Sequence, residues 1–275
     1  MNTEEASPTA ESLADLFRRP NERIPSLVLI KAGSESPPIF MTHGIGDTVL
    51  GLFRFASQVR SAHPIYGLQA KGSDGLEEPL GQIEEMAEFH LDAIRGVQSH
   101  GPYVLVGYSL GGLVALEMAR RLSSDGEKIA LLVMLDSYPD RRHISLGQQA
   151  RLILRLAKTR ATALRSRPIS ENESRGSQMD QSVARALQRV KDYQYRALRD
   201  YRPQFYDGKA NFVRAAISTF FPDNPAAVWS HLAREFEVET LPCTHLELLT
   251  TQAESLASSI SRLLAGLPQA HEISG

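Results

Sequence analysis

The chain has a single cysteine, Cys243, and a single tryptophan among its 275 residues. One cysteine excludes an intramolecular disulfide framework, which makes a reducing, cytoplasmic location the default expectation. No apolar run approaches the roughly 18 residues that a membrane-spanning helix needs. The opening Met1-Asn2-Thr3-Glu4-Glu5 has neither a basic start nor an apolar stretch of the secretory type. A soluble protein without a membrane span is therefore expected. Charge of one sign is also lacking: 30 Lys+Arg stand against 32 Asp+Glu. That balance argues against a nucleic-acid binder and against a solvating acidic chain. No internal repeat is visible.

What is present is hydrophobic content of 42%, enough for one large core in a chain of this length. Residues 1 to about 22 are polar, carry Pro8 and Pro20, and contain only a short apolar helix candidate around Leu13, Leu16 and Phe17. They read as a tail or linker, and residues 23–275 as the folded domain. Short apolar runs follow at Leu27–Ile30, Ile39–Thr42, Ile65–Leu68, Tyr103–Val106 and Ile129–Leu135. Their alternation with amphipathic helices predicts an α/β fold with a mostly parallel central sheet flanked by helices on both faces. Ile83, Met86, Ala87, His90, Leu91, Ile94 and Val97 share one helical face and mark a crossover helix.

The alternation stops after Asp136. Two amphipathic helices, about 144–165 and 181–201, predict an insertion at about 140–205, and its place beyond a strand end makes it a lid over the ligand-binding end of the sheet. Strand-like sequence resumes at Asn211–Ile217. It is followed by a helix over Ala226–Phe236, a short strand at Val238–Leu241 and a last helix over about 252–265.

Between an apolar strand and an apolar helix lies Gly107-Tyr108-Ser109-Leu110-Gly111. Strand, tight turn and helix in that order form the nucleophile elbow of the α/β-hydrolase fold. Glycines at 107 and 111 let neighbouring backbone approach the strained turn, while the helix start points the Leu110 amide at the reacting carbonyl oxygen. The second oxyanion donor is expected from His43-Gly44-Ile45-Gly46-Asp47, by position the amide of Ile45. His43 reads as a support for that loop. The glycine cluster lacks the spacing of a nucleotide-binding loop.

A serine requires a base, and the base an orienting carboxylate. Of the histidines after Ser109, His271 lies in the C-terminal tail, His143 at the lid entrance and His231 within a helix. His245, on a loop after the last strand, is left as the base. Two carboxylates are candidates for the acid. Asp136 ends the strand after the elbow helix, and its burial there calls for a hydrogen-bond partner. Asp223 lies one strand later, in a Pro-Asp-Asn-Pro stretch where a turn alone would account for it. The residues favour Asp136.

Several ordered blocks resemble the thioesterase domains of nonribosomal peptide and polyketide synthases. They are Phe40-Met41-Thr42-His43-Gly44-Ile45-Gly46, Ile65 to Gly72, Ile83 to Ala87, Gly101-Pro102-Tyr103, the elbow, and Leu131 to Pro139. The resemblance implies a Ser109–Asp136–His245 triad with the acid 27 residues after the serine, as in assembly-line members. Freestanding members tend to carry it at the Asp223 position. It also implies release of an acyl or peptidyl chain from the phosphopantetheine arm of a carrier protein, by hydrolysis or cyclisation, with no metal and no bound cofactor. Met1 and the short tail suggest a freestanding protein, and an excised terminal domain would read the same.

Between Arg141 and Arg202, 15 Lys+Arg face 5 Asp+Glu. Arg151, Arg155 and Lys158 form one stripe on the first lid helix, beside an apolar face suited to covering an acyl chain. This stripe is a candidate docking surface for an acidic carrier protein; a solvated helix face is the bland alternative. Two other functions share the motif: a general esterase or acyl-CoA hydrolase, and a non-catalytic α/β-hydrolase used as a binding module.

Overall fold

In the computed structural model, residues 7–16, 23–140, 146, 147, 150, 178–217, 221, 222 and 224–267 are described. Asp223, His143, His271, Arg151, Arg155, Lys158 and nearly all of the first lid helix lie outside these residues.

Seven strands form one sheet: β1 (Leu27–Lys31), β2 (Ile39–Thr42), β3 (Ile65–Leu68), β4 (Tyr103–Tyr108), β5 (Ile129–Leu135), β6 (Tyr206–Ile217) and β7 (Ala233–Thr244). Their order across the sheet is β1-β3-β2-β4-β5-β6-β7. β1 pairs antiparallel with β3, and every other pairing is parallel. The helices are α1 (Ala10–Asp15), α2 (Val49–Ala56), α3 (Ile83–Arg95), α4 (Leu110–Ser124), α5 (Gln178–Asp200), α6 (Ala226–Trp229) and α7 (Ala253–Ala265).

Strand residues alternate between two cores because successive side chains leave opposite faces of a strand. Phe40, Leu105, Leu132 and Phe212 join the α3 and α4 side chains Leu91, Ile94, Leu113 and Leu116 in one cluster. Met41, Val104, Val106 and Val133 join Leu52 and Phe55 of α2 and Leu256 and Ile260 of α7 in the other. Both faces of the central strands are thus buried, which is why those strands read as uninterrupted apolar runs. Among the described residues no helix is long and apolar enough to cross a membrane.

The main departures from the sequence reading lie at the β6–β7 edge. The helix expected through Phe236 stops at Trp229, and β7 starts at Ala233, well before Val238. The reason is pairing: β6 starts at Tyr206 and holds β7 in parallel register from Tyr206↔Ala233 to Ile217↔Thr244. Helix α2 was not anticipated. Thr48 caps it, accepting from the Leu50 amide, and its buried Val49, Leu52, Phe55 and Ala56 face the sheet. Inside the polar N-terminal stretch, α1 has a Thr9–Ser12 capping box and buries Leu13 against Val28 and Val49.

Candidate active site

The turn from β4 into α4 places Ser109 at φ 56°, ψ −120°, a strained conformation for a non-glycine residue that costs on the order of 1–3 kcal/mol. Surrounding bonds impose it: the Ser109 amide donates to the Leu135 carbonyl (2.9 Å), and the Gly112 amide donates to the Ser109 carbonyl (3.1 Å). The flanking glycines are required by crowding. A Cβ on Gly107 would lie 2.2 Å from the Gly111 oxygen, and one on Gly111 2.5 Å from the Thr42 oxygen. Thr42 closes this junction by donating its hydroxyl to the Gly111 carbonyl (2.8 Å).

Asp136 follows the last residue of β5 and also has positive φ, 46°. Its amide donates to the Val213 carbonyl (2.8 Å). The residue is 1% exposed, yet both carboxylate oxygens are used: Oδ1 accepts from the Ala215 amide (3.2 Å) and Oδ2 from His245 Nδ1 (2.8 Å). A neutral imidazole that donates from Nδ1 presents Nε2 as an acceptor.

His245 opens the short 3₁₀ turn His245–Glu247 at the end of β7. Thr244 and Glu247 box that turn, the Thr244 amide donating to Glu247 Oε2 (2.7 Å). The imidazole touches two rings. Tyr108 stacks on one side, with centroids 4.8 Å apart and planes 20° from parallel, and Phe221 tilts against it at 4.8 Å. The Tyr108 hydroxyl donates to the His245 carbonyl (2.9 Å). Burial, with Asp136 close by, raises the pKa of that phenol, so it remains a neutral donor.

The loop after β2 lies against the elbow: a Cβ on Gly44 would sit 3.2 Å from Ser109 Cβ. Two donors hold the Gly44 carbonyl, His43 Nδ1 at 2.9 Å and the Asp47 amide at 3.3 Å. In a trans peptide the N–H points opposite to the C=O, so this grip aims the Ile45 N–H away from both donors. His43 Nε2 accepts from the Ala70 amide (3.3 Å), which selects the neutral tautomer. Burial lowers the His43 pKa in the same sense, outweighing the Gly44 and Asp47 contributions. Gln69 Oε1 accepts from the Val49 amide (3.0 Å), and Gln194 Oε1 of α5 accepts from the Gly46 amide (2.8 Å).

The structure therefore joins Asp136 to His245 and packs the Gly44 loop on Ser109. Leu110 is buried and Ile45 half-buried beside the same junction. Asp223 and the basic stripe of Arg151, Arg155 and Lys158 fall outside the described residues. Tyr108, Phe221, Gln69 and Gln194 were not anticipated. Tyr108 occupies a variable position of the elbow pattern, and all four act across the fold, so none carried a residue-specific local signal. Among the described residues no three His, Cys, Asp or Glu side chains gather as metal ligands.

A family model described as "Thioesterase domain" matches residues 37–264. A dimodular nonribosomal peptide synthase of Bacillus subtilis is 28% identical over an alignment 277 positions long, covering 94% of this chain and 12% of that protein. The polyketide synthase PksR of the same organism is 35% identical over 143 residues, covering 48% of this chain and 6% of that protein. The chain thus spans a small part of the length of these relatives. Among solved structures, the NocB thioesterase domain in covalent complex with a fluorophosphonate nocardicin G analogue superposes with a TM-score of 0.62. It is 22% identical and covers 84% of this chain and 96% of that one, a likeness of fold.

Proposed function

The chain belongs to the thioesterase domain family, and we propose that it releases an acyl, polyketide or peptidyl chain from the phosphopantetheine thioester of a carrier protein through a Ser109 acyl-enzyme. The observation that carries this reading is the 2.8 Å contact between His245 Nδ1 and the buried Asp136 carboxylate, at the same sheet end as the strained Ser109 turn.

In this reading Ser109 Oγ attacks the thioester carbonyl while His245 Nε2 takes its proton. Asp136 holds the tautomer and stabilises the imidazolium that forms. The Ile45 and Leu110 amides receive the negative charge on the carbonyl oxygen. Collapse breaks the C–S bond, and His245 returns the proton to the departing pantetheine thiol. A second nucleophile then attacks the acyl-enzyme, with His245 again as base. Water gives a linear acid, and an amine or hydroxyl of the chain itself gives a ring. The arm comes with the substrate, so the chemistry needs no resident cofactor or metal. Carrier docking is assigned to the basic stripe of Arg151, Arg155 and Lys158, where complementary charge mainly speeds encounter.

A fluorophosphonate probe is expected to label the protein at Ser109, and Ser109→Ala to abolish labelling. Absence of labelling in the natural chain would instead favour a binding module. Charge reversal at Arg151 and Arg155 is expected to raise KM for a carrier-bound thioester and to leave a short thioester unaffected. Equal effects on both, or equal natural rates on CoA thioesters and simple esters, would point to a general hydrolase.

A further inference from the structure

Helix α5 buries Ala186, Val190, Gln194 and Ala197 along one stripe. Three of these are small or apolar. The fourth is a glutamine only 4% exposed. Burying an amide is costly unless it is hydrogen-bonded, so this position points to a specific partner. That partner is the Gly46 N–H, 2.8 Å from Gln194 Oε1 across a sequence separation of 148 residues. A second observation is independent of the bond. Gly46 sits at φ +69°, and a Cβ there would lie 2.9 Å from Lys191 Cδ, so the Lys191 side chain of α5 lies against this residue.

The two peptide planes that meet at Ile45 are held by different parts of the chain. The Gly44–Ile45 plane, which carries the Ile45 N–H, is held through the Gly44 carbonyl by His43 and the Asp47 amide, both within the loop itself. The Ile45–Gly46 plane is held by Gln194 alone among the hydrogen bonds described, and Gln194 comes from the insertion after β5. Val190 and Gln194 also wall a cavity of about 20 Å³ whose other side is His43, His90, Leu110 and Gly111. Helix α5 thus packs against the loop and shares a cavity with the residues that follow Ser109.

We propose that Gln194 is a positioning residue for the oxyanion hole: its grip on the Gly46 amide fixes the orientation of Ile45, so the hole is complete only when α5 is docked. This rests on the reading of the Ile45 amide as an oxyanion donor. The insertion is then part of the catalytic apparatus as well as a cover, because displacement of α5 releases the peptide plane that links Ile45 to the Asp47 amide gripping the Gly44 carbonyl. Misplacing such a group by about 1 Å is enough to cost on the order of 10²-fold in rate.

The test uses the full chain with a short acyl thioester, an alkyl boronate as tetrahedral analogue, and the acid product. Gln194→Leu removes the acceptor at similar volume. Gln194→Asn keeps an amide but falls one methylene short, and serves should the leucine variant fail to fold. Either is expected to lower kcat about 10- to 100-fold with KM within about threefold. Boronate affinity should fall by the same factor while product affinity is retained. A merely structural role would not produce that split. Unchanged kcat, or a raised KM at unchanged kcat, would overturn the positioning role and leave the functional reading intact. A natural chain that neither labels at Ser109 nor turns over thioester would overturn both.

Discussion

Tyr108 and His245 are joined twice: their rings stack at 4.8 Å, and the Tyr108 hydroxyl donates to the His245 backbone carbonyl at 2.9 Å. The residue just before the proposed nucleophile therefore fixes both the plane and the backbone of the proposed base. The two contacts separate by substitution. Tyr108→Phe keeps the stack and loses the hydrogen bond, costing about 1 kcal/mol of stability with kcat within a few-fold. Tyr108→Leu loses both and is expected to lower kcat by up to about tenfold, since aromatic pairing contributes about 0.5–1.5 kcal/mol beyond area. Thermal unfolding and steady-state kinetics on a short thioester check this. Equal kcat for the two variants would show that the stack does not orient His245.

Asp136 offers the sharpest chemical test. Asp136→Asn keeps the volume but makes the group facing His245 ambiguous between donor and acceptor, which favours the wrong imidazole tautomer. Loss of roughly 10⁴ in kcat with a near-natural unfolding midpoint is expected, by analogy with the serine-protease triad. Asp223→Asn should stay near the natural rate. The reverse pattern would move the acid to Asp223.

What was legible in the sequence follows from what local pattern records. β4 and β5 were readable because their residues are almost all buried and apolar, and they were placed almost to their ends. The last strand was placed only in part, at Val238–Leu241, and its start at Ala233 was missed. β7 lies at the sheet edge and alternates Glu235, Glu237 and Glu239 with residues of its other face, so its identity comes from pairing with β6 rather than from hydrophobicity. In the site, Ser109 and its glycines were visible because a strained turn dictates residue types locally. Asp136 and His245 could be nominated, but their contact spans 109 residues of sequence. Gln194 had no signal at all: on an amphipathic helix a glutamine reads as part of the solvated face until the fold places Gly46 above it.

His90 links this site to pH. It is buried in α3, and burial, with a smaller contribution from His43, lowers its pKa from 6.5 to about 3. The unfolded chain therefore takes up a proton near pH 6.5 that the native chain refuses until about pH 3. In that window the unfolded state binds more protons, so stability is retained above pH 6.5 and lost as pH falls. The slope for this group approaches about 1.4 kcal/mol per pH unit. Urea unfolding between pH 7 and pH 4 should show a stability decline that His90→Gln makes shallower. An unchanged slope in that variant would place the acid sensitivity elsewhere.

Glu117 ties the elbow helix to the segment between β5 and β6. Its carboxylate is 1% exposed and accepts from Arg120 Nε (3.0 Å) and Nη2 (2.7 Å), from Arg121 Nε (3.0 Å) and from the Tyr201 hydroxyl (3.3 Å) just beyond α5. Burial pushes its pKa up, but the hydrogen bonds and charges of the two arginines outweigh that and hold it below the usual carboxylate range. The arginines are themselves 28–30% exposed, so water replaces part of what they would lose. Glu117→Ala is therefore expected to cost about 2–3 kcal/mol, short of a fully buried pair. Tyr201 loses its partner in the same variant, and α5 loses its far anchor. Amide exchange in α5 should rise more than in α4, and kcat should fall with KM little changed, as for Gln194→Leu. If exchange rises equally in both helices, Glu117 stabilises the body of the fold and does not govern the docking of α5.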